Sequence, residues 1–290
     1  MKRRPIYVEL NIHADMEKLW TYTQTAELHE QWDLRFSSIT YLPRNAERNT
    51  QAFLYETRIG FEGTGARLST LAFGSEQKIS LIRHGAGYWQ YRQNADSITF
   101  LTRYDYATRF GRLGQWFDSL LFRPLFGWAT ALSFDVLRLW LEKQIPPAVS
   151  LQRTLIHYLC TGLLSLLWLY EGLIPKWIYP EAGELSMMQS THMFPGMELQ
   201  ALKWLGAAEI LLGLMLLPYH RAKWIYQLQS AGLLALAGGA LACTPSLLTQ
   251  PFNPFVISAA MLGLCLTGMW TSRDLPNAVN CIRKKGEGKK

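Results

Sequence analysis

The sequence lacks the cysteine spacing that marks disulfide-linked or metal-binding proteins. It has 4 cysteines in 290 residues, and none of them forms a CxxC pair. Three of them, Cys160, Cys243 and Cys265, lie inside apolar runs, where cysteine behaves as a small hydrophobic residue. The pattern argues against a disulfide framework, and no haem, flavin or metal signature accompanies it.

The N-terminus lacks the apolar region of a signal peptide. Residues 1–5 are basic, and the polar residues Glu9, Asn11 and Asp15 follow them. We therefore expect the first half of the chain to stay in the cytosol. The chain carries a net charge of +7 but no groove-reading motif, so we expect no nucleic acid partner.

A local cluster of catalytic side chains is also missing. His29 lies near Trp32 and Asp33, and His84 precedes a glycine-rich turn. Neither histidine has a sequence neighbour that completes a nucleophile or a metal site. The sequence therefore identifies no catalytic residue and no metal ligand, and it leaves open whether the protein is an enzyme.

The first half of the chain has the alternating pattern of an antiparallel sheet. Residues 6–12 predict a strand, and Asp15 can cap the first of two short helices that extend to Trp32. A helix is predicted over residues 114–143, with Pro124 expected to bend or break it. Between them the pattern predicts strands at 36–41, 52–59, 66–73, 78–83, 87–93 and 97–108, with turns at 43–49, 60–65, 74–77, 85–87 and 94–96. This order predicts an α+β domain in which an antiparallel sheet curls around a long C-terminal helix.

The same order of elements resembles the START-like (SRPBCC, polyketide-cyclase-like) superfamily. The resemblance covers roughly residues 5–145 and rests on the motifs at 8–12, 17–20 and 28–33. It implies a helix-grip fold with an apolar cavity between sheet and helix. It also implies a hydrophobic or lipid-like small molecule as ligand.

Aromatic side chains alternate along the predicted strands, so many of them share one face of the sheet. One interpretation is an ordinary core, and the other is a ligand cavity. Polar neighbours such as Glu56, Arg58, Arg103 and Asp105 either orient a headgroup or pair on the solvated face. The candidate cavity residues are Trp32, Phe53, Tyr55, Trp89, Tyr91, Phe100 and Tyr104.

The long helix is unusually apolar, especially over residues 116–134, although charged residues leave it too short for a comfortable span. It is expected to line the cavity. An additional possibility is that its Trp and Phe residues enter the bilayer interface, where Arg123, Arg138 and Lys143 would meet anionic lipid.

The second half contains four apolar runs, at residues 154–174, 199–217, 224–243 and 255–271. Their length matches the hydrocarbon core of a bilayer, about 30 Å. We therefore predict a four-helix transmembrane bundle over 148–273, after a cytoplasmic domain (1–147) and before a basic cytoplasmic tail (274–290). Lys and Arg lie in the loops before the first, between the second and third, and after the fourth run. This bias predicts a multi-pass protein of the plasma (inner) membrane with both termini in the cytoplasm.

Four ionisable residues lie in or beside these spans: Glu171, Lys176, Lys203 and Glu209. Charges at this depth are costly and are expected to have a partner or a role. Glu209 shares a face with Gly206 and Gly213, so it should point into the bundle. Lys203 matches Glu171 in depth, so we predict that these two residues pair. Proton relay remains open for the two acids, and so does simple packing, in which they pair with Lys203, Lys176 or backbone groups.

The motifs at residues 168–177, 205–213 and 252–254 together resemble the DoxX-like family of four-helix membrane proteins. Some members of that family are linked to quinone-coupled sulfur oxidation, and others to redox-partner or membrane-assembly roles. The resemblance implies a type of bundle and makes quinone a possible partner.

Three functions follow from these observations. The favoured one is a membrane-held module that binds a hydrophobic ligand. The second is a subunit of a quinone-linked redox system, or an enzyme, that handles protons through Glu171 or Glu209. The third is an anchor or scaffold for partner proteins, which the sequence does not identify.

Overall fold

The computed structural model describes residues 4–43, 51–67, 71–243, 245–249 and 253–284 of the chain. The chain forms two compact units. The first extends to Ser150 and includes the segment that begins at Pro276. The second is Leu151–Leu275.

A seven-stranded antiparallel sheet is the basis of the first unit, as the sequence predicts. Its strands are β1 (Ile6–Ile12), β2 (Phe36–Tyr41), β3 (Gln51–Thr57), β4 (Glu62–Arg67), β5 (Leu71–Gly74), β6 (Ile82–Gln93) and β7 (Ile98–Thr108). They lie in the order β1-β7-β6-β5-β4-β3-β2. The sheet is thus a meander from β2 to β7, and β1 pairs with the last strand.

The predicted turn at 85–87 is wrong, and the one at 60–65 is right only in its first part, where Gly60 (φ 83°) lies in the connection between β3 and β4. Gly63, Gly65, Gly85 and Gly87 lie within strands. Each glycine faces an aromatic residue of the neighbouring strand, and a Cβ added there would lie 2.2–2.5 Å from that side chain. The aromatic side chains therefore occupy space that only glycine leaves open. The pairs are Gly63 with Tyr55, Gly65 with Phe53, Gly85 with Phe73, and Gly87 with Tyr104.

The middle of the sheet also differs from the prediction. The predicted strand 78–83 is mostly a loop, and β6 begins only at Ile82. The predicted strand 66–73 joins the end of β4 to the start of β5 across residues 68–70, which lie outside the described residues. Most of the predicted turn at 43–49 lies outside them as well.

The helices of the first unit match the predicted order. The α1 helix (Met16–Gln24) begins after Asp15, whose carboxylate accepts a hydrogen bond from the Lys18 backbone as predicted. The α2 helix (Ala26–Trp32) follows directly. The long helix consists of α3 (Gly111–Phe117), a π-helical turn (Asp118–Phe122) and α4 (Arg123–Lys143).

The predicted break at Pro124 does not occur. Pro124 lies in the first turn of α4, directly after the π-helical turn. A proline is tolerated there because the chain has already rearranged its helical hydrogen bonds in the preceding turn. The helix therefore continues along the sheet.

A short segment after the last apolar helix completes the first unit. Ile282 and Glu9 of β1 exchange two backbone hydrogen bonds of 2.8 and 3.0 Å. The buried carboxylate of Asp135 on α4 accepts hydrogen bonds from the Asn277 backbone (2.8 Å) and the Asn280 amide (3.1 Å). The predicted tail thus begins with residues that belong to the domain. Residues 285–290 of that tail lie outside the described residues.

The second unit is a helical bundle. It contains α5 (Pro147–Leu173), a π-helical turn (Ile174–Ile178), α6 (Glu184–Ser190), α7 (Glu198–Tyr219), α8 (Lys223–Cys243) and α9 (Pro254–Thr271). Asn253 caps α9 as predicted, accepting from the Phe255 and Val256 backbone. Helices α5, α7, α8 and α9 share one core, which includes Leu164, Trp168, Leu216, Tyr226, Leu233, Met261 and Cys265.

Among the described residues, four helical stretches are long and apolar enough to cross a membrane. Three of them, Pro147–Ile178, Glu198–Tyr219 and Lys223–Cys243, contain predicted spans. The fourth is the long helix Gly111–Lys143, whereas the predicted span at 255–271 is a shorter apolar helix. The long helix buries Phe134, Val136 and Leu137 in the core of the first unit, so we treat it as part of that domain.

The Asp135 contacts predict how the C-terminal segment is held. Asp135→Ala should lower the free energy of unfolding of the first unit by about 3 kcal/mol, because buried donors lose their acceptor. The loss is measurable by thermal unfolding, together with faster protease cleavage near residue 280. The exposed acid Asp96 provides a control, as Asp96→Ala should change neither. Equal protection of the segment from protease in both variants would show that the Asp135 contacts do not hold it.

Candidate functional site

A large cavity lies between the sheet and the long helix of the first unit. Its volume is about 850 Å³. Strands β2, β3, β5, β6 and β7 supply one wall, and α3, the π-helical turn and α4 supply the other. The wall is mostly aromatic and aliphatic, including Phe36, Phe53, Tyr55, Phe73, Trp89, Tyr104, Phe122 and Phe126.

Four of the seven candidate cavity residues line this space: Phe53, Tyr55, Trp89 and Tyr104. The other three pack beside it. Trp32 and Phe100 are fully buried in the core, where Phe100 stacks on Phe134 with ring centroids 4.4 Å apart. The Tyr91 hydroxyl lies 2.8 Å from the Thr23 hydroxyl of α1. The alternating pattern thus identified inward-facing residues, but it did not distinguish those that line the cavity from those that belong to the core.

The polar end of the cavity is built on a buried ion pair. Asp33 caps the C-terminus of α2, and Arg35 lies two residues further, before β2. Arg35 donates two hydrogen bonds to the Asp33 carboxylate, at 2.8 and 2.6 Å. A third, to the Thr130 hydroxyl (3.2 Å), ties the pair to α4. Such a bidentate arrangement fixes both the position and the orientation of the guanidinium group.

Two further polar side chains complete this end. The His29 Nε2 atom lies 3.2 Å from the Asp33 carboxylate, and the ring packs against Trp32 and Trp89. The Tyr104 hydroxyl lies 2.6 Å from the Thr130 hydroxyl, and its ring lies beside the Arg35 guanidinium. His29, Arg35 and Tyr104 all line the cavity, so a ligand oxygen can reach hydrogen-bonding groups there.

The electrostatics of this end follow from burial. Burial alone would raise the pKa of Asp33, but the Arg35 charge and the hydrogen bonds from Arg35 and His29 hold that pKa well below its usual range. Burial raises the pKa of Tyr55 to about 12, so its hydroxyl stays protonated and donates to the Gly74 carbonyl. The pair Asp33–Arg35 is thus ionised and internally neutral at physiological pH.

The mouth of the cavity is unusually apolar. Six large hydrophobic residues on its rim are 42–80% exposed: Ile59, Ile79, Phe110, Leu113, Phe117 and Leu125. Arg109 fixes the loop that carries Ile79, because its guanidinium donates to the Gln77, Ser80 and Ile82 carbonyls at 2.8–3.2 Å. The rim is therefore held open.

A second polar cluster lies inside the bundle. Lys176 and Glu209 are both buried, and their Nζ and Oε2 atoms are 3.0 Å apart. The same ammonium donates to the Glu171 carbonyl at 3.1 Å and lies 3.8 Å from the Glu184 carboxylate. One lysine thus contacts two carboxylates and the backbone carbonyl of Glu171, at the place where α5 changes into its π-helical turn.

The predicted pairing of Glu171 with Lys203 is wrong. Among the described residues, the Lys203 ammonium lies 6.0 Å from the centre of the Trp177 ring instead. Glu209 points into the bundle as predicted, because Gly206 on its face lets α7 approach Gly172 closely. The π-helical turn moves Lys176 inward, and regular helical spacing does not foresee this shift.

A histidine pair connects the helices at the other end of the bundle. The His157 Nε2 atom lies 2.9 Å from the His220 Nδ1 atom, and the His157 Nδ1 atom lies 3.1 Å from the Gly268 carbonyl oxygen. The pair links α5, α9 and the loop after α7. Within the described ranges no cluster of three or more His, Cys, Asp or Glu side chains has the arrangement of a metal site.

Sequence reasoning missed Arg35 and Thr130, the two partners that make the polar end of the cavity. The spacing of His29 and Asp33, four residues apart on one helix, was the available signal. Arg35 belongs to no helical pattern, and Thr130 is distant in sequence. Their meeting depends on the tertiary fold.

The fold is that of a membrane protein with several apolar helices and an attached α+β domain. Residues 165–266 match the sequence profile of the DoxX-like family. The whole chain is 41% identical to the uncharacterized membrane protein YndG of Bacillus subtilis (strain 168), over 98% of this chain and 99% of YndG. The chain therefore belongs to the family of YndG.

Two solved structures are similar to part of the chain. The di-domain ARO/CYC StfQ from the steffimycin biosynthetic pathway has a TM-score of 0.36 and 12% identity over 48% of this chain and 51% of its own. The di-domain ARO/CYC BexL from the BE-7585A biosynthetic pathway has a TM-score of 0.30 and 12% identity over 38% of each chain. These scores are too low to support an argument, and the START-like resemblance stays a prediction.

The buried ion pair gives a prediction about pH. Asp33→Asn should lower the free energy of unfolding at pH 7 by about 3–5 kcal/mol, because it leaves the buried Arg35 uncompensated. A carboxylate with a lowered folded pKa contributes stability above its unfolded pKa and loses it as the pH falls. The difference between wild type and Asp33→Asn should therefore shrink below about pH 4.

Urea unfolding from pH 3 to 7 measures this difference. Glu27→Gln, which alters an exposed acid on the same helix, is the matched control. A difference that is independent of pH would show that the Asp33 charge does not stabilise the fold.

Proposed function

We propose that the first unit binds a hydrophobic or lipid-like small molecule in its cavity, and that the DoxX-like bundle keeps this domain at the membrane. The cavity is the observation that carries the proposal. Ligand pockets of small molecules have volumes of about 300–1,000 Å³ and few polar groups, and this cavity fits both criteria.

The arrangement of polar groups supports a ligand with one polar end. His29, Arg35 and Tyr104 line the cavity together, whereas most other lining residues are apolar. Because Asp33 neutralises Arg35, the polar end offers hydrogen bonds without a net charge. A hydroxyl or carbonyl group meets these donors without adding a buried charge, so it suits the site better than a carboxylate does.

The topology of the chain supports cytoplasmic placement of both ends. Ile282 pairs with Glu9, so the segments before and after the bundle lie on the same side of the membrane. The chain must then cross the membrane an even number of times, which fits α5, α7, α8 and α9. The basic loops support a cytoplasmic location for that side, in a protein of the plasma (inner) membrane.

A second candidate function is proton handling in a quinone-linked redox system. The observation in its favour is the buried contact of Lys176 with Glu209, next to Glu171 and Glu184. Intramembrane ionisable groups often mark a proton path. The packing alternative is that the pair only joins α5 to α7. The anchor or scaffold role has no comparable observation among the described residues.

Ligand binding predicts that an apolar molecule co-purifies with the protein. Native mass spectrometry and organic extraction of the purified full-length chain should detect it. Ala129→Trp, which fills the cavity, should reduce its occupancy at least tenfold, a loss of about 1.4 kcal/mol of binding free energy or more. Leu54→Trp places the same side chain at an exposed position and should retain the ligand.

Thermal unfolding must show that both tryptophan variants are folded. Equal occupancy in the two variants would place the molecule elsewhere. Absence of any ligand, combined with quinone-dependent turnover, would favour the redox candidate.

The Lys176–Glu209 pair predicts a double-mutant pattern. Lys176→Met alone should destabilise the bundle by about 3–5 kcal/mol, because Glu209 remains buried without a partner. Lys176→Met with Glu209→Leu should restore most of the loss. Unfolding in mixed detergent measures both.

Glu209→Gln should leave the bundle folded. A loss of quinone-linked turnover in that variant would assign Glu209 a role in proton transfer, and unchanged turnover would leave it only a packing role.

A further inference from the structure

The outward face of the long helix is apolar where a water-soluble domain would be polar. Trp116, Leu120, Leu121 and Trp128 are 46–65% exposed there. Trp116 and Leu120 are four residues apart, and Leu121 and Trp128 are seven apart, spacings that keep side chains on the same side of a helix. The opposite side already buries Asp118, Gly127 and Thr130 in the domain. One side of the helix is therefore packed into the domain, and the exposed apolar side needs a partner other than water.

This outer side is continuous with the rim of the cavity. Leu113, Phe117 and Leu125 belong both to the rim and to the exposed side of the helix. Phe110, immediately before α3, is exposed although its backbone has a left-handed conformation (φ 65°). That conformation costs a residue with a side chain about 1–2 kcal/mol, so the fold holds an aromatic ring outward at a cost.

The charges around this surface fit anionic lipid. From Arg109 to Phe134 the sequence contains one acid, Asp118, and it is buried against Arg123 and Tyr106. The exposed cations next to the rim are Arg58, Lys78 and Arg112, and exposed acids near it are Glu62 and Glu76. Arg123 and Arg138, which the sequence suggested as lipid contacts, pair with Asp118 and Asp135 instead.

We propose that this apolar surface, made of the outer side of residues 110–128 and the cavity rim, docks on the headgroup region of an anionic lipid bilayer. Tryptophan, leucine and phenylalanine beside arginine and lysine are the composition of a helix that lies in a membrane interface. The bilayer is also the partner at hand, because α5 begins at Pro147, four residues after the end of α4 at Lys143.

Docking in this way opens the cavity toward the lipid. An apolar ligand then passes between bilayer and cavity without crossing water. This route rests on the proposed ligand binding, whereas the docking itself does not. The experiment below needs no ligand, so failure of docking and failure of ligand binding remain distinguishable.

Site-specific fluorescence quenching on the full-length protein tests the surface. Cys243 is the exposed one of the four free cysteines, so a Cys243→Ser background leaves single sites for an NBD label. Leu113→Cys and Leu120→Cys place the label on the surface, and Leu54→Cys places it on an exposed leucine of β3 as control. The labelled proteins are placed in nanodiscs that contain phosphatidylglycerol.

We expect lipids with a nitroxide high on the acyl chain to quench the labels at 113 and 120 at least threefold more than the label at 54. Aqueous iodide should show the reverse order. Iodide quenching at 113 and 120 equal to that at 54 would overturn the proposal. Protection from iodide without quenching by lipid would also overturn it, because a protein would then cover the surface.

A third outcome distinguishes docking from insertion. Because Gly111–Lys143 is long enough to span a bilayer, an inserted helix would place residue 120 much deeper than residue 113. Stronger quenching of the label at 120 by nitroxides deep in the acyl chain would therefore reject surface docking. Equal, shallow depth at both positions supports it.

Discussion

The cavity depends on a physical constraint that ordinary packing opposes. Protein interiors close up to the density of organic crystals, so a space of about 850 Å³ persists only if its walls are held apart. The buried pair of Asp33 and Arg35 holds the walls apart at one end. A collapse of the cavity there would separate two buried charges that are now paired. The hydrogen bond from Arg35 to the Thr130 hydroxyl, and the one from the neighbouring Leu34 backbone to the Ser133 hydroxyl, pass the constraint to α4. At the other end Arg109 fixes the loop of the rim. The cavity is thus framed by polar contacts and lined by apolar ones.

The sequence predicted the order of elements because each depends on local signals. Alternation predicts strands, capping residues such as Asp15 and Asn253 mark helix starts, and apolar runs mark spans. The errors arose where the conformation of a residue depends on a contact with a residue distant in sequence. Gly63 and Gly87 suggested turns, but they make room for aromatic residues of the next strand. The polar end of the cavity was missed because Arg35 meets its partners only through the fold.

In the bundle, too, local sequence signals failed to predict a contact that depends on the tertiary fold. Depth along regular helices correctly placed Glu209 inside the bundle, but it wrongly chose Lys203 as the partner of Glu171. The π-helical turn at Ile174–Ile178 adds a residue per turn and brings Lys176 to Glu209. Such turns have no reliable sequence signal and recur at functional sites. The local irregularity therefore accounts for both the error and the most unusual contact in the membrane domain.

The pairing of Ile282 with Glu9 has a consequence for how the protein is made. In chain order, the membrane helices are an insertion within the α+β domain. While the ribosome is still producing α5 to α9, the domain has its sheet and long helix but not the segment that covers the free edge of β1. An open strand edge is a template for pairing with other chains. The domain therefore gains this contact only after the last membrane helix has been synthesised. Until then the edge of β1 is partly unprotected.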